Sequence, residues 1–483
     1  PKIFGRRRYG GNTMEKNEFY TGIVERLGSN GEGILKQGDT TVFVPYALPL
    51  EKIKYKILKV KKNIAFGKLV EIYTPAEERV RPKCAAYERC GGCQLQHLKY
   101  PLQLQLKRKT VADCLSKIAF LNVPVNKVVP SENEYKYRNK LQLPVRTDNF
   151  GPVVGFFAQN SHRVVPITDC PIQPDWCKKI IRDVKKYVSD YRISVYNEQD
   201  KAGLLKHVVV REVECRQIIT LVINGEDLPK KNELIDILKS NFKEFSLYLN
   251  VNKNHTNVIF GDKFKLLYGS GKVISSDMGV RYEIGPQSFM QVNDSIRRKI
   301  YADAVKTSEA DGYTTVIDAY SGAGMLTAIF ATKSRKATGI EIVKEAVDCA
   351  NELKVLNGLE GKMENICASC GDVLPDIMKR EKESGFKTVL VLDPPRQGVE
   401  ENIIEAIKTT LPDKIIYISC SPQTLARDLG LLLGTLKRED GEIKKVTETV
   451  SSEYEIEKIQ PYDMFPQTKH IETLVSLRKK TSE

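Results

Sequence analysis

Two features typical of membrane and secreted proteins are missing from these 483 residues. No apolar run approaches the roughly 20 residues that a membrane-spanning helix requires, and no secretory leader is visible. A disulfide framework is also disfavoured, because the eleven cysteines are odd in number and several are clustered. We therefore expect a cytoplasmic protein whose thiols are reduced and which has no membrane partner.

Acidic residues are fewer than basic ones. The chain has 75 Lys and Arg against 61 Asp and Glu, a formal net charge of +14 and an isoelectric point near 9.1. This excess favours a polyanionic partner, most simply nucleic acid, although a basic protein without such a partner is an alternative. The length predicts about three domains, and 41% hydrophobic residues can build a core in each.

The first part of the chain predicts an arm followed by a small barrel. Residues 1–13, with Arg6-Arg7-Arg8 and several glycines, are interpreted as a leader or a disordered basic arm. Residues 14–75 contain short strands between Gly-rich turns, which predicts a small OB-like β-barrel. A solvated Lys-rich face and an RNA-binding face explain its charge equally well. The stretch resembles the TRAM domain of RNA-modifying enzymes, which favours RNA.

Four cysteines provide the next signal. Cys84, Cys90 and Cys93 are close together, with two glycines between the last two, and Cys170 follows much later before a proline. Four thiolates suit either tetrahedral zinc or an iron–sulfur cluster, and the spacing does not choose between them. It also differs from the Cys-x3-Cys-x2-Cys pattern of radical enzymes that cleave S-adenosylmethionine. We therefore expect a structural metal site.

The region after the first three cysteines predicts a helix and two basic strands. The helix over 98–120 carries Lys107-Arg108-Lys109, which we interpret as an exposed face. The strand over 135–145 contains Arg138 and Lys140, and the strand over 206–211 contains His207. Arginine offers a planar fork that binds phosphates and stacks on unpaired bases. We expect this middle region to hold RNA.

Two predicted strands near the carboxyl terminus are followed by residues with reactive side chains. The apolar run 388–392 ends in Asp393, followed by two prolines and Arg396, and the run 414–419 is followed by Cys420. In open α/β sheets, ligands bind at the carboxyl ends of the strands, so Asp393 and Cys420 should share one cleft. A cysteine at this position is better explained as a methyl-transfer nucleophile than as a small core residue.

A glycine turn and two further acids predict the methyl-donor site. The strand containing Val316 to Tyr320 leads into Gly322-Ala323-Gly324 and a helix over 325–331. Glycines at such a turn let a nucleotide approach the backbone, although the full dinucleotide-binding pattern is absent. Glu341 ends the next strand, about 20 residues on, where an acid commonly binds a ribose. Asp372 follows as a candidate for the adenine. Together these residues predict an S-adenosylmethionine site.

Several motifs in the same order resemble the RNA 5-methyluridine methyltransferase family, and the resemblance covers about residues 14–478. The motifs are Gly91-Gly92-Cys93-Gln94-Leu95-Gln96-His97-Leu98, Tyr137-Arg138-Asn139-Lys140, Gln287-Ser288-Phe289-Met290-Gln291-Val292-Asn293 and Asp393-Pro394-Pro395-Arg396. The resemblance implies that Cys84, Cys90, Cys93 and Cys170 bind a four-iron four-sulfur cluster. It also implies S-adenosylmethionine contacts at Gln291, Tyr320, Glu341 and Asp393. Ser321 and Met325 depart from the family, which has mostly Cys and a polar residue there.

The resemblance also implies a reaction. Carbon 5 of uracil is a poor nucleophile, and addition of the Cys420 thiolate to carbon 6 would activate it. After methyl transfer, Glu472 matches the base that removes the proton from carbon 5. Phe289 or Phe465 is expected to stack on the extruded base. Relatives with both the barrel and the cysteines imply 23S ribosomal RNA as the substrate, with transfer RNA as the alternative.

The combined prediction is an α/β fold with a Rossmann-like methyltransferase domain at 285–483, after the barrel and a mixed α+β iron–sulfur and RNA-binding domain at 76–284. We expect residues about 95–125 to pack on the catalytic domain and the protein to be a monomer. An exocyclic-amine methyltransferase would not need Cys420. A non-catalytic RNA-binding scaffold would not explain the acids at three strand ends. A 5-methylcytosine enzyme usually has a Cys where Arg396 stands.

Overall fold

The structure is a computed structural model that describes residues 14–447 and 452–481. The expected leader, residues 1–13, lies outside the described residues. Residues 14–88, 92–106 and 467–469 form one compact unit, and the other described residues form a second. None of the helices in these described ranges has the length and hydropathy of a bilayer-spanning segment.

The first unit is rich in β-structure, with strands β1 (Phe19–Ile23), β2 (Arg26–Leu27), β3 (Gly33–Gln37), β4 (Thr40–Val44), β5 (Lys52–Lys61) and β6 (Ile64–Thr74). They form one sheet in the order β1-β5-β6-β4-β3-β2. In β5, the buried Ile53, Tyr55 and Ile57 alternate with lysines, as expected for a strand with one solvated face. These side chains belong to a separate hydrophobic core, so the predicted β-rich domain is confirmed.

A second sheet follows along the chain, after helix α1 (Tyr100–Lys117). It contains β7 (Lys140–Asp148), β8 (Gly151–Phe157), β9 (Val164–Pro166), β10 (Leu205–Val213), β11 (Arg216–Ile223), β12 (Phe245–Val251) and β13 (Lys263–Tyr268), in the order β13-β12-β11-β10-β7-β8-β9. Helices α2 (Trp176–Asp190) and α3 (Lys231–Lys239) lie between these strands in sequence. Trp176 is buried in α2, as expected.

The carboxyl-terminal part begins with a hairpin and continues into a third, seven-stranded sheet. The hairpin is β14 (Val273–Asp277) and β15 (Val280–Ile284). The elements that follow are α4 (Asp294–Ser308), β16 (Thr314–Ala319), α5 (Met325–Ala331), β17 (Lys336–Glu341), α6 (Lys344–Leu356), β18 (Met363–Cys367), α7 (Cys370–Glu383), β19 (Lys387–Leu392), α8 (Glu401–Thr410), β20 (Lys414–Ser419), α9 (Pro422–Leu432), β21 (Leu436–Glu439), β22 (Glu442–Lys445), β23 (Tyr454–Tyr462) and β24 (Glu472–Lys479).

The order of this third sheet is β18-β17-β16-β19-β20-β24-β23. Strands β16 to β20 are parallel, so their carboxyl ends lie at one edge. Strand β24 is antiparallel to β20 and pairs Thr473 with Ser419. An antiparallel neighbour starts at the edge where the parallel strands end. Glu472, the first residue of β24, therefore comes beside the end of β20, where Cys420 follows.

Burial explains why these strands are read correctly from sequence. All six residues of β16 and of β20 are buried, as expected for central strands covered on both faces. The predicted strands at 388–392 and 414–419 and the predicted helix at 325–331 are confirmed as β19, β20 and α5. The predicted α/β architecture is confirmed, whereas the domain boundaries of the sequence analysis remain a prediction.

Candidate active site

A cavity of about 100 Å³ opens at the carboxyl edge of the third sheet. Its lining comes from β15 and the loop after it, from helices α4, α5 and α6, from the end of β16 and the turn after it, and from the residue after β19. The lining includes Ser288, Phe289, Arg297, Asp318, Tyr320 and Asp393. The edge of the sheet that the sequence pattern predicts as the ligand site therefore contains a cavity.

The floor of this cavity is a backbone turn with strict steric demands. Tyr320, Gly322 and Gly324 have φ angles of 65°, 55° and 78°, in the left-handed region. A Cβ atom on Gly324 would lie 2.7 Å from the Cβ of Ala350, so this position combines a glycine-favouring backbone with a close approach to α6. Glu341 accepts hydrogen bonds from the Gly322 amide at 3.0 Å and the Val343 amide at 2.8 Å. Its carboxylate holds the turn in place.

The residues expected to contact the methyl donor do not all lie at this cavity. Tyr320 and Asp393 line it, and the Tyr320 hydroxyl has no hydrogen-bond partner in the described structure. Gln291 follows the lining residue Met290, and Glu341 reaches the site through the turn amides. Asp372 is exposed in the first turn of α7 and is not part of the lining. The structure thus brings four of the five residues to one region and leaves Asp372 at the surface.

Sequence reasoning missed two buried charged residues of the cavity. Asp318 is buried in β16 and accepts a hydrogen bond from the Thr327 hydroxyl at 2.6 Å. Burial, with a contribution from the neighbouring carboxylate of Asp393, raises the pKa of Asp318 to about 7. An acid inside an otherwise apolar strand was a visible signal. Arg297 had no such signal in the sequence, because an arginine in a polar helix is typical of a surface residue.

Arg297 is nevertheless 2% exposed and lines the cavity. Its Nη2 atom forms ion pairs with Asp277 at 2.5 Å and Asp294 at 3.3 Å. Nε and Nη1 have no hydrogen-bond partner in the described structure. The cavity therefore offers buried carboxylates for a cationic group and unused N–H donors for an oxygen-bearing group.

Four charged or nucleophilic residues meet beside the cavity. Burial raises the pKa of the Cys420 thiol; the carboxylates of Glu472 and Asp393 raise it further, and the Arg396 guanidinium opposes them. Glu472 is 4% exposed, and burial together with Asp393 raises its pKa well above the usual value. Burial also raises the pKa of Asp393 to about 7. Cys420 and Glu472 therefore both lose their protons at a higher pH than they would in water.

The loop that precedes β24 is fixed by a buried lysine. The Lys107 ammonium is 2.5 Å from an Asp463 carboxylate oxygen and 3.0 Å from the Phe465 carbonyl oxygen. Both side chains of this ion pair are almost fully buried. The interpretation of Lys107 as part of an exposed helix face is wrong, although Lys109 does lie at the surface. Lysine spacing gave no sign of this, because its partner is about 350 residues away in the chain.

The two candidate stacking aromatics differ in exposure. Phe289 lines the cavity and is 72% exposed. Phe465 packs edge-on against His470, with ring centroids 6.0 Å apart, and contacts the hydrophobic core. Phe289 is therefore the more accessible of the two for a base.

The four cysteines of the expected cluster are distributed over both units. Cys84 and Cys93 belong to the first unit, and Cys90 and Cys170 to the second. Cys93 and Cys170 are buried, whereas Cys84 and Cys90 are partly exposed. Among residues 14–447 and 452–481, no group of three or more His, Cys, Asp or Glu side chains is arranged to hold a metal ion. The metal site remains a prediction from the sequence.

Comparisons with known proteins agree with the fold. A sequence profile described as tRNA (Uracil-5-)-methyltransferase matches residues 99–480, and one described as the TRAM domain matches residues 17–70. A Clostridium tetani protein described as an uncharacterized RNA methyltransferase is 37% identical over 469 residues, which is 96% of each chain. A Bacillus cereus protein with the same description is 37% identical over 470 residues, 96% of this chain and 98% of its own.

A solved structure is similar along almost the whole chain. It is the crystal structure of Pyrococcus abyssi tRNA (uracil-54, C5)-methyltransferase in complex with S-adenosyl-L-homocysteine. The TM-score is 0.74 at 25% sequence identity, and the match covers 95% of this chain and 100% of the other.

Proposed function

The chain belongs to the tRNA (uracil-5-)-methyltransferase family, and on this premise we propose that it methylates carbon 5 of a uridine in 23S ribosomal RNA. As a member of this family it is an S-adenosylmethionine-dependent RNA methyltransferase. The nucleophile in the proposal is Cys420, and the base is Glu472. The main support is that these two side chains share one charge cluster with Asp393 at the cavity.

The residues of the cavity fit S-adenosylmethionine, which supplies the methyl group when it is bound. The open backbone at Gly322 suits a nucleoside, and the buried carboxylates of Asp318 and Asp393 suit positive charge. The unpaired hydroxyl of Tyr320 provides a further donor. Gln291 and Glu341 remain proposed contacts through the loop and the turn, and Asp372 would reach a ligand only beyond the lining of the cavity.

The proposed reaction divides the work between Cys420 and Glu472. The Cys420 thiolate forms a bond to carbon 6 of the uracil, and the displaced electron pair moves toward carbon 5 and the 4-carbonyl. Carbon 5 then takes the methyl group. Glu472 accepts the proton that leaves carbon 5, the double bond returns between carbons 5 and 6, and the bond to the Cys420 sulfur breaks.

The charge cluster is suited to these two roles. A carboxylate with a raised pKa is a stronger base near neutral pH, which favours proton removal by Glu472. Cys420 needs the opposite change, because only its thiolate attacks. Arg396 is the positive group that lowers the pKa of both side chains, and we assign it the role of stabilising the Cys420 thiolate.

The choice of ribosomal RNA rests on the sequence resemblance. Relatives that combine the barrel with four cysteines imply 23S ribosomal RNA, whereas the similar Pyrococcus abyssi enzyme is named for uridine 54 of transfer RNA. Transfer RNA is therefore the second candidate. A cytoplasmic monomer belongs to the same proposal.

We also propose that Cys84, Cys90, Cys93 and Cys170 hold a four-iron four-sulfur cluster, on the resemblance alone. The cluster has no step in the proposed reaction. Anaerobically purified protein should contain about four iron and four sulfide per chain and absorb near 400 nm. Cys93→Ser should lower the iron content, and the exposed Cys215→Ser should not. One zinc per chain without sulfide would contradict the cluster.

The uridine mechanism is tested by covalent trapping. Transcripts of 23S ribosomal RNA fragments and of transfer RNA are made with 5-fluorouridine and incubated with enzyme and S-adenosylmethionine. Fluorine cannot leave as a proton, so the adduct should persist on a denaturing gel. It should be absent with Cys420→Ala and present with Cys215→Ala, a matched control at an exposed cysteine.

The transcript that shifts identifies the RNA class. A shift of only the transfer RNA would replace ribosomal RNA as the substrate and leave the mechanism intact. If labelled methyl enters unsubstituted RNA but no fluorinated transcript shifts, the carbon-5 mechanism is wrong and an exocyclic amine becomes the acceptor. If neither occurs with either RNA, the methyltransferase proposal for these two substrates fails.

A further inference from the structure

Three cationic side chains are brought together at the start of β7. Lys140 on β7 pairs directly with Arg211 on β10 in the antiparallel register, and Arg138 precedes Lys140 by two residues. Burial, together with the positive charges of Arg211 and Arg138, lowers the pKa of Lys140 to about 8. The three side chains therefore repel one another in a partly desolvated place.

No acid offsets this charge directly. Among the described residues, no carboxylate oxygen lies within 4.0 Å of a side-chain nitrogen of Arg138, Lys140 or Arg211. The nearest influence is Asp294, which favours the charged form of Arg211 but is hydrogen-bonded to Asn139 at 3.1 Å. Clustered cations without a partner are costly to bury, so they indicate an anion that is bound during function.

Arg211 has hydrogen-bond donors that are not used in the described structure. It is 2% exposed, and its Nη2 atom donates to the Ser288 carbonyl oxygen at 2.8 Å. Its Nε and Nη1 atoms have no hydrogen-bond partner in the described structure. Buried N–H groups are almost always paired, so these two donors point to a missing acceptor. Arg138 and Lys140 are both partly exposed, which gives a ligand access to the cluster.

The cluster adjoins the loop that lines the methyl-donor cavity. The Asn139 side-chain amide donates to the Gln291 carbonyl oxygen at 3.0 Å, and the Asn139 backbone amide donates to the Val292 carbonyl oxygen at 2.9 Å. With the Arg211–Ser288 bond, these contacts hold both ends of the segment that carries Phe289. An anion bound at the cluster is therefore next to the segment that faces the reaction site.

We propose that Arg138, Lys140 and Arg211 form a subsite for one backbone phosphate of the RNA strand beside the target uridine. The inference rests on the proposed function, because the substrate brings the phosphate. Lysine binds it as a point charge and arginine through its planar fork. The other anion that this region could take is the carboxylate of the methyl donor, and the experiment separates the two.

The test compares Lys140→Ala and Lys140→Arg with Lys243→Ala, which removes an exposed lysine of the same unit without a described ion pair. Filter binding measures affinity for a 23S ribosomal RNA transcript and a transfer RNA transcript across a series of KCl concentrations. Calorimetry measures S-adenosylhomocysteine binding. We expect Lys140→Ala to weaken RNA binding about tenfold at low salt and to reduce the salt slope by about 1.

Lys140→Arg and Lys243→Ala should stay within about twofold of wild type for RNA, and every variant should bind S-adenosylhomocysteine normally. Equal RNA affinity and salt slope for Lys140→Ala and Lys243→Ala would overturn the subsite. A loss of S-adenosylhomocysteine binding with unchanged RNA binding would assign the anion to the methyl donor instead. Binding is measured without turnover, so a failure of uridine methylation leaves this result independent of the proposed reaction.

Discussion

Replacement of Glu472 by glutamine tests the assigned base. The variant keeps the shape of the side chain and removes its ability to accept the proton from carbon 5. Glu472 is 4% exposed, and the amide fills the same buried space as the carboxyl group. We therefore expect Glu472→Gln to fold normally, to form the adduct with Cys420 and to release methylated RNA slowly.

The structure also sets the size and sign of the effects. Loss of general-base assistance slows proton removal by about 10² to 10⁴, or about 3 to 5 kcal/mol in activation free energy.

The raised pKa means that folding favours protonated Glu472. Its contribution to stability is complete below the unfolded pKa and is lost as pH rises through the folded pKa. Wild type should therefore lose more thermal stability than Glu472→Gln as the pH rises above the range in which an ordinary glutamate titrates.

Single-turnover reactions with unsubstituted RNA, quenched in detergent and run on a denaturing gel, measure the adduct. Glu455→Gln, at an exposed residue of β23, is the matched control and should behave as wild type. The role of Glu472 is refuted if the variant releases methylated product at the normal rate. A variant that forms neither adduct nor product, yet binds RNA and S-adenosylhomocysteine, would assign Glu472 to an earlier step.

Three further substitutions address separate features. Cys420→Ala should abolish methyl transfer to RNA and leave S-adenosylhomocysteine binding within about twofold by calorimetry. Gly324→Ala should weaken that binding and lower stability by about 1–3 kcal/mol in urea unfolding, because the new methyl group meets α6 and φ is positive. Gly312→Ala, with open space around it, should change neither. Lys107→Met should cost about 3–5 kcal/mol of stability by leaving a buried carboxylate alone, whereas the exposed Lys109→Met should cost under about 1 kcal/mol.

The strand ends of the catalytic sheet could be predicted because their signals are local. An apolar β-branched run followed by Asp393, and another followed by Cys420, identify two parallel strands and the edge at which they end. The glycine turn after Tyr320 follows from the same logic. These patterns need only a few consecutive residues, since a fully buried strand must be apolar along its whole length.

Residues whose roles depend on distant partners could not be found this way. Lys107 looked like its exposed neighbours, and only the fold brings Asp463 to it. In the sequence, Arg297 resembled a surface residue. In the structure it is buried and forms an ion pair with Asp277. Asp372 is exposed in the first turn of α7, and its contact with the ligand stays a prediction. Burial and pairing over long sequence separations are properties of packing, which no short pattern records.

The sequence by itself determined the class of fold, the family and the edge of the sheet at which the chemistry belongs. It did so because strand periodicity, turn glycines and short motifs are set by neighbouring residues. Only the tertiary structure decided that Glu472 lies beside Cys420 and that both hold their protons tightly. It alone also brought Lys140 to Arg211, because antiparallel register and desolvation arise when separate strands pack together.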